Sequence, residues 1–320
     1  MAILSHRGSR LTFRNKTGCT APPLLKRGDK AAIVAPASSV NEKALEAALQ
    51  KLKEWELEPV VYPPVCSPGS FFSGTDAERA RAFQQALDDP AIRVIFCARG
   101  GYGSIRILPL LQFRNFLNHP KWIIGFSDVT AFHSYLTHHL CVQSIHAPMA
   151  IHFEKYETLK DAFDKLKHFL FEGELSYALP PHPFNRHGTA EGILTGGNLS
   201  VLYSLRGTPA DLHPHHHILF LEDVDEYLYH IDRMLINFKY GGWLKGLKGM
   251  IIGTFSEMKE KQTPFGKQIE EIFSEATKEY SYPVLFGFPA GHSGENFPLV
   301  MGRKVRITMD EKQTLVNFIS

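Results

Sequence analysis

The chain has 320 residues, 44% hydrophobic and 21% charged, a composition ordinary for a globular protein and long enough for two modest domains or one large one. With 35 basic against 33 acidic residues the formal net charge is +2, and no Lys/Arg run could track a phosphate backbone, which argues against a nucleic-acid partner. The basic residues among the first 30 enclose no apolar core, no stretch reaches the roughly 18 apolar residues of a membrane span, and the four cysteines form no C-x-x-C pair; a cytoplasmic protein with free thiols is expected.

Residues 1–27 read as a polar lead-in, and an N-terminal α/β domain is expected over 28–150. Lys30 to Pro36 forms a first buried strand. Asn41 can cap a helix whose apolar positions Ala44, Leu45, Ala48, Leu49, Leu52 and Trp55 repeat at helical spacing. Val60-Val61-Tyr62 gives a second strand, Thr75-Asp76 opens a helix through Leu87, and Val94 to Ala98 gives a third strand running into Arg99-Gly100-Gly101-Tyr102-Gly103. A helix starts at Ser104. The apolar run Trp122 to Phe126 is a strand, followed after Ser127-Asp128 by a helix from Val129 to Leu136. Strands alternating with helices predict a mainly parallel sheet flanked by helices, with functional residues at the carboxyl ends of its strands.

Residues 151–187 carry charged helical segments from Glu154 to Glu172 and end in Pro180-Pro181-His182-Pro183, which reads as a linker. A C-terminal, β-rich α/β domain is expected over 188–320. It holds a glycine turn at Thr195-Gly196-Gly197-Asn198 before a helix from Leu199, and a strand Ile218 to Leu221 running into the acidic stretch Glu222 to Glu226. A helix around Ile231 to Phe238, a strand Met250 to Gly253, the segment Val284 to His292 and a closing hairpin from Val305 to Phe318 complete it.

Three residue types of a hydrolase triad lie at predicted strand ends: Ser127, the carboxylates beginning at Glu222, and His292. A serine hydroxyl is almost wholly protonated near neutrality and needs a base, which histidine supplies while a carboxylate holds its tautomer. Ser127 between strand and helix has the placement of a nucleophile elbow, although only Gly125-Phe126-Ser127 of G-x-S-x-G is present. A serine there is also an ordinary N-cap. The run Arg99 to Gly103 lacks the Lys-Ser/Thr of a phosphate-binding loop; its backbone N–H groups would serve a phosphate or half of an oxyanion hole. The histidines His213 and His215 to His217 invite a metal reading, but consecutive loop histidines without a second ligand set seldom converge on one ion, and neither metal nor cofactor is expected.

These segments resemble the LD-carboxypeptidase family, which comprises murein tetrapeptide carboxypeptidases and their microcin-immunity relatives. The matching stretches are Ala31–Ala37, Arg99–Gly103, Gly125–Thr130, Gly196–Leu199, Leu221-Glu222-Asp223 with Ile231–Leu235, and Gly291-His292. The resemblance implies a serine peptidase split over two domains, with Ser127 from the first and Glu222 and His292 from the second. It selects Glu222 over Asp223, which periodicity could not. It further implies an oxyanion hole from the N–H groups of Asp128 and the glycine loop, assigned to Gly101, with Arg99 and Gly100 as substrate-binding candidates. The implied substrate is a cytoplasmic murein tetrapeptide that loses its terminal D-alanine, and the implied assembly is a homodimer. The immunity branch, which cleaves a peptidyl-nucleotide amide, is the alternative, and a nucleotide- or sugar-phosphate-binding module is the reading from another class. One departure is visible: His146-Ala147-Pro148-Met149 stands where the family commonly has Gly-Pro-Met.

Overall fold

The computed structural model describes residues 18–67 and 69–319. Of the expected lead-in, residues 1–17 lie outside the described residues; Cys19 donates its N–H to the Gly302 carbonyl (2.8 Å) and Thr20 bridges to Val142. The first half runs β1 (Lys30–Val34), α1 (Glu42–Glu54), β2 (Glu58–Val61), α2 (Asp76–Asp88), β3 (Ile92–Cys97), α3 (Ser104–Ile107), α4 (Arg114–Asn118), β4 (Trp122–Gly125), α5 (Thr130–Tyr135) and β5 (Ser144–His146). Local signals explain the helix starts. The Asn41 side chain accepts the Ala44 N–H at 2.7 Å, and Thr75 and Glu78 cap α2 reciprocally. Burial of Ala44, Ala48 and Leu52, one turn apart, lays α1 on the sheet.

The second half runs α6 (Lys160–Glu172), β6 (Ser176–Leu179), β7 (Gly188–Asn198), α7 (Leu199–Ser204), β8 (Ile218–Val224), α8 (Leu228–Tyr240), β9 (Gly249–Ser256), α9 (Ile269–Thr277), β10 (Val284–Leu285), β11 (Leu299–Met301), β12 (Lys304–Met309) and β13 (Thr314–Phe318). Two sheets result, ordered β11-β5-β4-β3-β1-β2 and β10-β9-β8-β7-β12-β13-β6. In the first, β5 through β2 are parallel and only β11 is antiparallel, against β5. In the second, β7 to β10 are parallel, while β12, β13 and β6 add antiparallel. This is the expected pair of α/β units, mainly parallel first and richer in strands second.

Three features differ from the sequence reading. Thr195 to Asn198 is no turn but the end of β7, paired in register with Leu219 to Glu222 of β8. Gly196 and Gly197 keep the strand going at φ +129° and +137°, where side chains are strained. A Cβ at Gly196 would overlap the Phe220 carbonyl, and one at Gly197 the Thr130 side chain. The stretch 151–187 carries α6 and β6. Phe163 of α6 packs edge-on against Trp55 (6.2 Å between ring centroids) and Phe169 against Trp122 (5.3 Å), so α6 covers the first sheet while β6 edges the second. The short strands β5 and β11 left no periodicity to read. Among the described residues no helix is long and apolar enough to cross a membrane.

Replacing Gly196 with alanine is expected to destabilise the fold by about 1–3 kcal/mol, through backbone strain and the forced shift against Phe220. Denaturant unfolding followed by circular dichroism measures it; a midpoint equal to that of the native protein would contradict this account.

Candidate active site

Ser127 follows β4 through Phe126 and opens a single 3-10 turn, Ser127–Val129, that leads into α5. Its backbone is left-handed, φ +61°, a strained conformation for a residue with a side chain. That strain turns the hydroxyl away from the strand, as in a nucleophile elbow. Gly125 makes the turn possible, because a Cβ there would press on the Val129 side chain at 2.8 Å. Gly100 makes room on the other side: a Cβ on it would stand 3.1 Å from Ser127 Cβ and 3.3 Å from Oγ.

The glycine loop is tied to this turn by a side chain. The buried Asp128 carboxylate accepts the Ser104 N–H (2.8 Å) and the Gly103 N–H (3.3 Å), anchoring the loop to the elbow. Burial raises the pKa of Asp128, against the pull of those donors. Gly101 sits at φ +98° and is exposed, and a Cβ there would overlap Ser38 Oγ. The Asp128 N–H lies in the first turn, where helix geometry offers no acceptor within the turn. Arg99 is exposed, its Nη1 3.5 Å from the Ser39 carbonyl.

The second sheet presents the carboxylate, and the loop between β10 and β11 the imidazole. Glu222 and Asp223 are successive residues of β8, so they face opposite sides of the sheet. Glu222 Oε2 lies 2.8 Å from His292 Nδ1, with Glu222 fully buried and the His292 side chain 19% exposed. Asp223 turns inward instead, accepting from Asn198 Nδ2 (2.9 Å) and the N–H groups of Ser200 (2.8 Å) and Val224 (2.9 Å). Burial and the neighbouring Glu222 charge raise its pKa to about 6. Burial also acts to lower the pKa of His292, but the Glu222 bond and charge, with Asp223 and Glu257, outweigh it and raise the value above that of a free histidine. The His292 ring packs on Phe126, the residue before Ser127, at 4.9 Å. Thr130, three residues after Ser127, accepts the Asn198 N–H at 3.0 Å and so joins the elbow to β7. The bonded pair Glu222–His292 thus lies against Phe126, the residue that precedes Ser127.

The sequence profile of the LD-carboxypeptidase N-terminal domain matches residues 31–147, and that of the LD-carboxypeptidase C-terminal domain matches residues 191–307. The chain belongs to the LD-carboxypeptidase family. It is therefore assigned to the serine-type carboxypeptidases. It is 30% identical to the probable murein peptide carboxypeptidase of Bacillus subtilis, over 92% of this chain and 93% of that protein. The solved muramoyltetrapeptide carboxypeptidase of Oxalobacter formigenes, 28% identical, superposes with a TM-score of 0.81 over 91% of this chain and 99% of that one. A microcin C7 self-immunity protein of Escherichia coli is 27% identical over 75% of this chain and 78% of that protein.

Several members of the site gave no sequence signal: the Asp128 carboxylate as a loop anchor, Thr130 as a bridge, and His152. The His152 ring packs on Phe126 at 5.3 Å while Nδ1 accepts the Met149 N–H at 3.1 Å, and burial lowers its pKa to about 4. The spacing of His152 marks it only as one of 16 histidines. The histidine run around 215 builds a turn, with the His216 N–H donated to the Gly246 carbonyl at 2.9 Å. Among the described residues no group of three His, Cys, Asp or Glu side chains is placed to hold a metal.

Because Ser127 is held left-handed, Ser127→Gly is expected to raise stability by about 1 kcal/mol while abolishing reaction with serine-directed reagents. Thermal unfolding and labelling of the same samples test both halves; a loss of stability would show that the backbone at Ser127 is relaxed.

Proposed function

We propose that this protein is a serine carboxypeptidase that releases terminal D-alanine from cytoplasmic murein tetrapeptides, using Ser127, His292 and Glu222. One observation carries the reading: the 2.8 Å bond that commits His292 Nδ1 to Glu222, on a ring packed against the residue preceding Ser127. With Nδ1–H donated to the carboxylate, Nε2 is the nitrogen with a free lone pair.

In this mechanism Nε2 takes the Ser127 proton as Oγ attacks the carbonyl of the third residue, forming the tetrahedral intermediate. The oxyanion is held by the N–H groups of Gly101 and Asp128, where loss of one such donor costs on the order of 10²–10³ in rate. The imidazolium then gives its proton to the leaving nitrogen of D-alanine, and Glu222 stabilises the charge in the interval. Water, deprotonated by the same nitrogen, hydrolyses the acyl-enzyme and restores Ser127. Arg99, exposed at the end of β3, is the cation assigned to the free carboxylate of the substrate, with Gly100 giving the peptide close approach to Ser127.

A second reading, cleavage of a peptidyl-nucleotide amide, is favoured by an aromatic face beside the glycine loop. Phe71 is 67% exposed and meets Phe72 edge-on at 5.0 Å; Phe72 lies 6.0 Å from Tyr102, with the Arg106 guanidinium 5.6 Å from its ring centre. Such a face could stack a nucleobase.

The deciding assay offers L-Ala-D-Glu-diaminopimelate-D-Ala and a peptidyl-nucleotide amide to the native protein, Ser127→Ala and His292→Ala. D-Alanine release by the native protein alone, falling by on the order of 10³-fold or more in either variant, is expected. Turnover of the nucleotide substrate alone would move the assignment to the second reading, and activity surviving Ser127→Ala would sink both.

The pH dependence follows from the raised pKa of His292. Its neutral form is the base, so kcat/KM should fall as pH drops through a midpoint above the ordinary 6.5, and Glu222→Gln should move that midpoint downward. The same shift has the opposite sign for folding: the contribution of His292 to stability is complete below pH 6.5 and is lost as pH rises through the folded-state value. An acid limb that Glu222→Gln leaves in place would separate Glu222 from the base.

A further inference from the structure

The loop that carries His292 is held from beneath by a buried polar path with no part in the chemistry above. Asn296, 4% exposed and left-handed at φ +50°, turns its Oδ1 back to accept the Gly291 N–H at 2.9 Å. The same oxygen lies 3.2 Å from Nε2 of His146, which is fully buried at the end of β5. His146 pairs in register with Gly125 of β4, two residues before Ser127, and with Leu299 of β11, three residues after Asn296. Its ring is enclosed by Phe126 at 5.5 Å and Phe220 at 5.0 Å. Burial lowers the pKa of His146 well below its ordinary value, so the ring is neutral and its Nε2–H is the donor to Asn296.

The path is costly to fold around. His146 Nδ1 and Asn296 Nδ2 are both buried without a hydrogen-bond partner, a loss an apolar pair of the same volume would avoid. Its geometric return is specific: Gly291, at φ +140°, immediately precedes His292, and its N–H is fixed by the path. On the other side the loop is fixed by the Thr254 N–H, donated to the Ala290 carbonyl at 2.9 Å.

We propose that Asn296 and His146 are positioning residues for His292: the path His146–Asn296–Gly291 sets the loop of the base from the same strands that present the nucleophile. Strand β4 ends at Gly125, two residues before Ser127, its neighbour β5 ends at His146, and two hydrogen bonds lead from there to the residue before His292. A displacement of His292 would lengthen its bond to Glu222 and turn Nε2 from Ser127 together. The inference rests on the triad reading, so its test includes a measurement that needs no substrate.

That measurement is the titration of His292 by NMR in the intact protein, compared among native, Asn296→Ala, His146→Leu and His146→Gln forms. Glutamine is chosen because its amide N–H can stand where Nε2–H stands. The groups facing His292 are Glu222, Asp223 and Glu257, whose charge raises its pKa, and the neutral His146 and His152. Removing His146 removes no charge, so a moved midpoint reports geometry. Asn296→Ala and His146→Leu should lower the His292 midpoint and reduce kcat about 10- to 100-fold, with KM changed less than about twofold. His146→Gln should stay within about threefold of the native kcat. Should Asn296→Ala fail to fold, Asn296→Ser, whose hydroxyl is too short to reach His146, serves in its place. Folded variants with native midpoint and kcat would overturn the proposal, as would His146→Gln falling as far as His146→Leu. Absence of D-alanine release by the native protein would remove the murein carboxypeptidase reading, while the His292 midpoints would still decide whether the path positions that ring.

Discussion

Strand β11 leaves the loop that carries His292, crosses to the first sheet and pairs antiparallel with β5, matching Leu299 with His146 and Met301 with Ser144. The proposed triad, divided between two sheets, needs their separation fixed to a fraction of an ångström, and a strand ladder is a stiff way to fix it. The pairing also covers what would otherwise be an open edge of the parallel sheet. Because β11 begins three residues after Asn296, little slack remains between the ladder and the His292 loop. The bond from Asn198 to Thr130 repeats the tie on the other side of the elbow, joining β7 to the start of α5.

Within that frame the acidic pair at the end of β8 divides its labour by the pleat. Glu222 meets His292; Asp223, one residue on, faces α7 and accepts the Ser200 N–H in its first turn, where a helix start attracts negative charge. Burial and the neighbouring Glu222 charge together raise the pKa of Asp223. Exchanging their roles would need a slip of β8 by one residue, which would turn Leu219 and Leu221 to the opposite face.

The strain at Ser127 and the tight glycine contacts around it belong to the same economy of space. Gly100 and Gly125 bear on the elbow, and Gly253 and Gly291 let the His292 loop lie on β9: a Cβ on Gly253 would overlap the Ala290 carbonyl, and one on Gly291 the Thr254 hydroxyl. Asp128 adds an electrostatic anchor for the glycine loop, so the two backbone N–H groups assigned to the oxyanion belong to one bonded unit.

Local chemistry made much of this legible beforehand. Helical spacing in α1, the cap residues Asn41 and Thr75, and the apolar runs of β1, β3, β4 and β8 depend on neighbours a few residues apart, and they placed Ser127, Glu222 and the glycine loop at strand ends. The resemblance of short motifs chose Glu222 over Asp223, which spacing left open. Other features depend on contacts between distant segments and left no local pattern. Gly196-Gly197 read as a turn because glycine usually breaks a strand, and only the carbonyl of Phe220 on the neighbouring strand explains why the strand continues. The helix α6 read as part of a connection because its partners, Trp55 and Trp122, lie far away in the chain. The three-residue strands β5 and β11 are too short to show alternation, and His146 and Asn296 meet across 150 residues. The sequence by itself determined which groups could do the chemistry, since side-chain type and local spacing are written in it; only the tertiary structure decided which of them face one another, because that depends on strand pairing between segments that share no local signal.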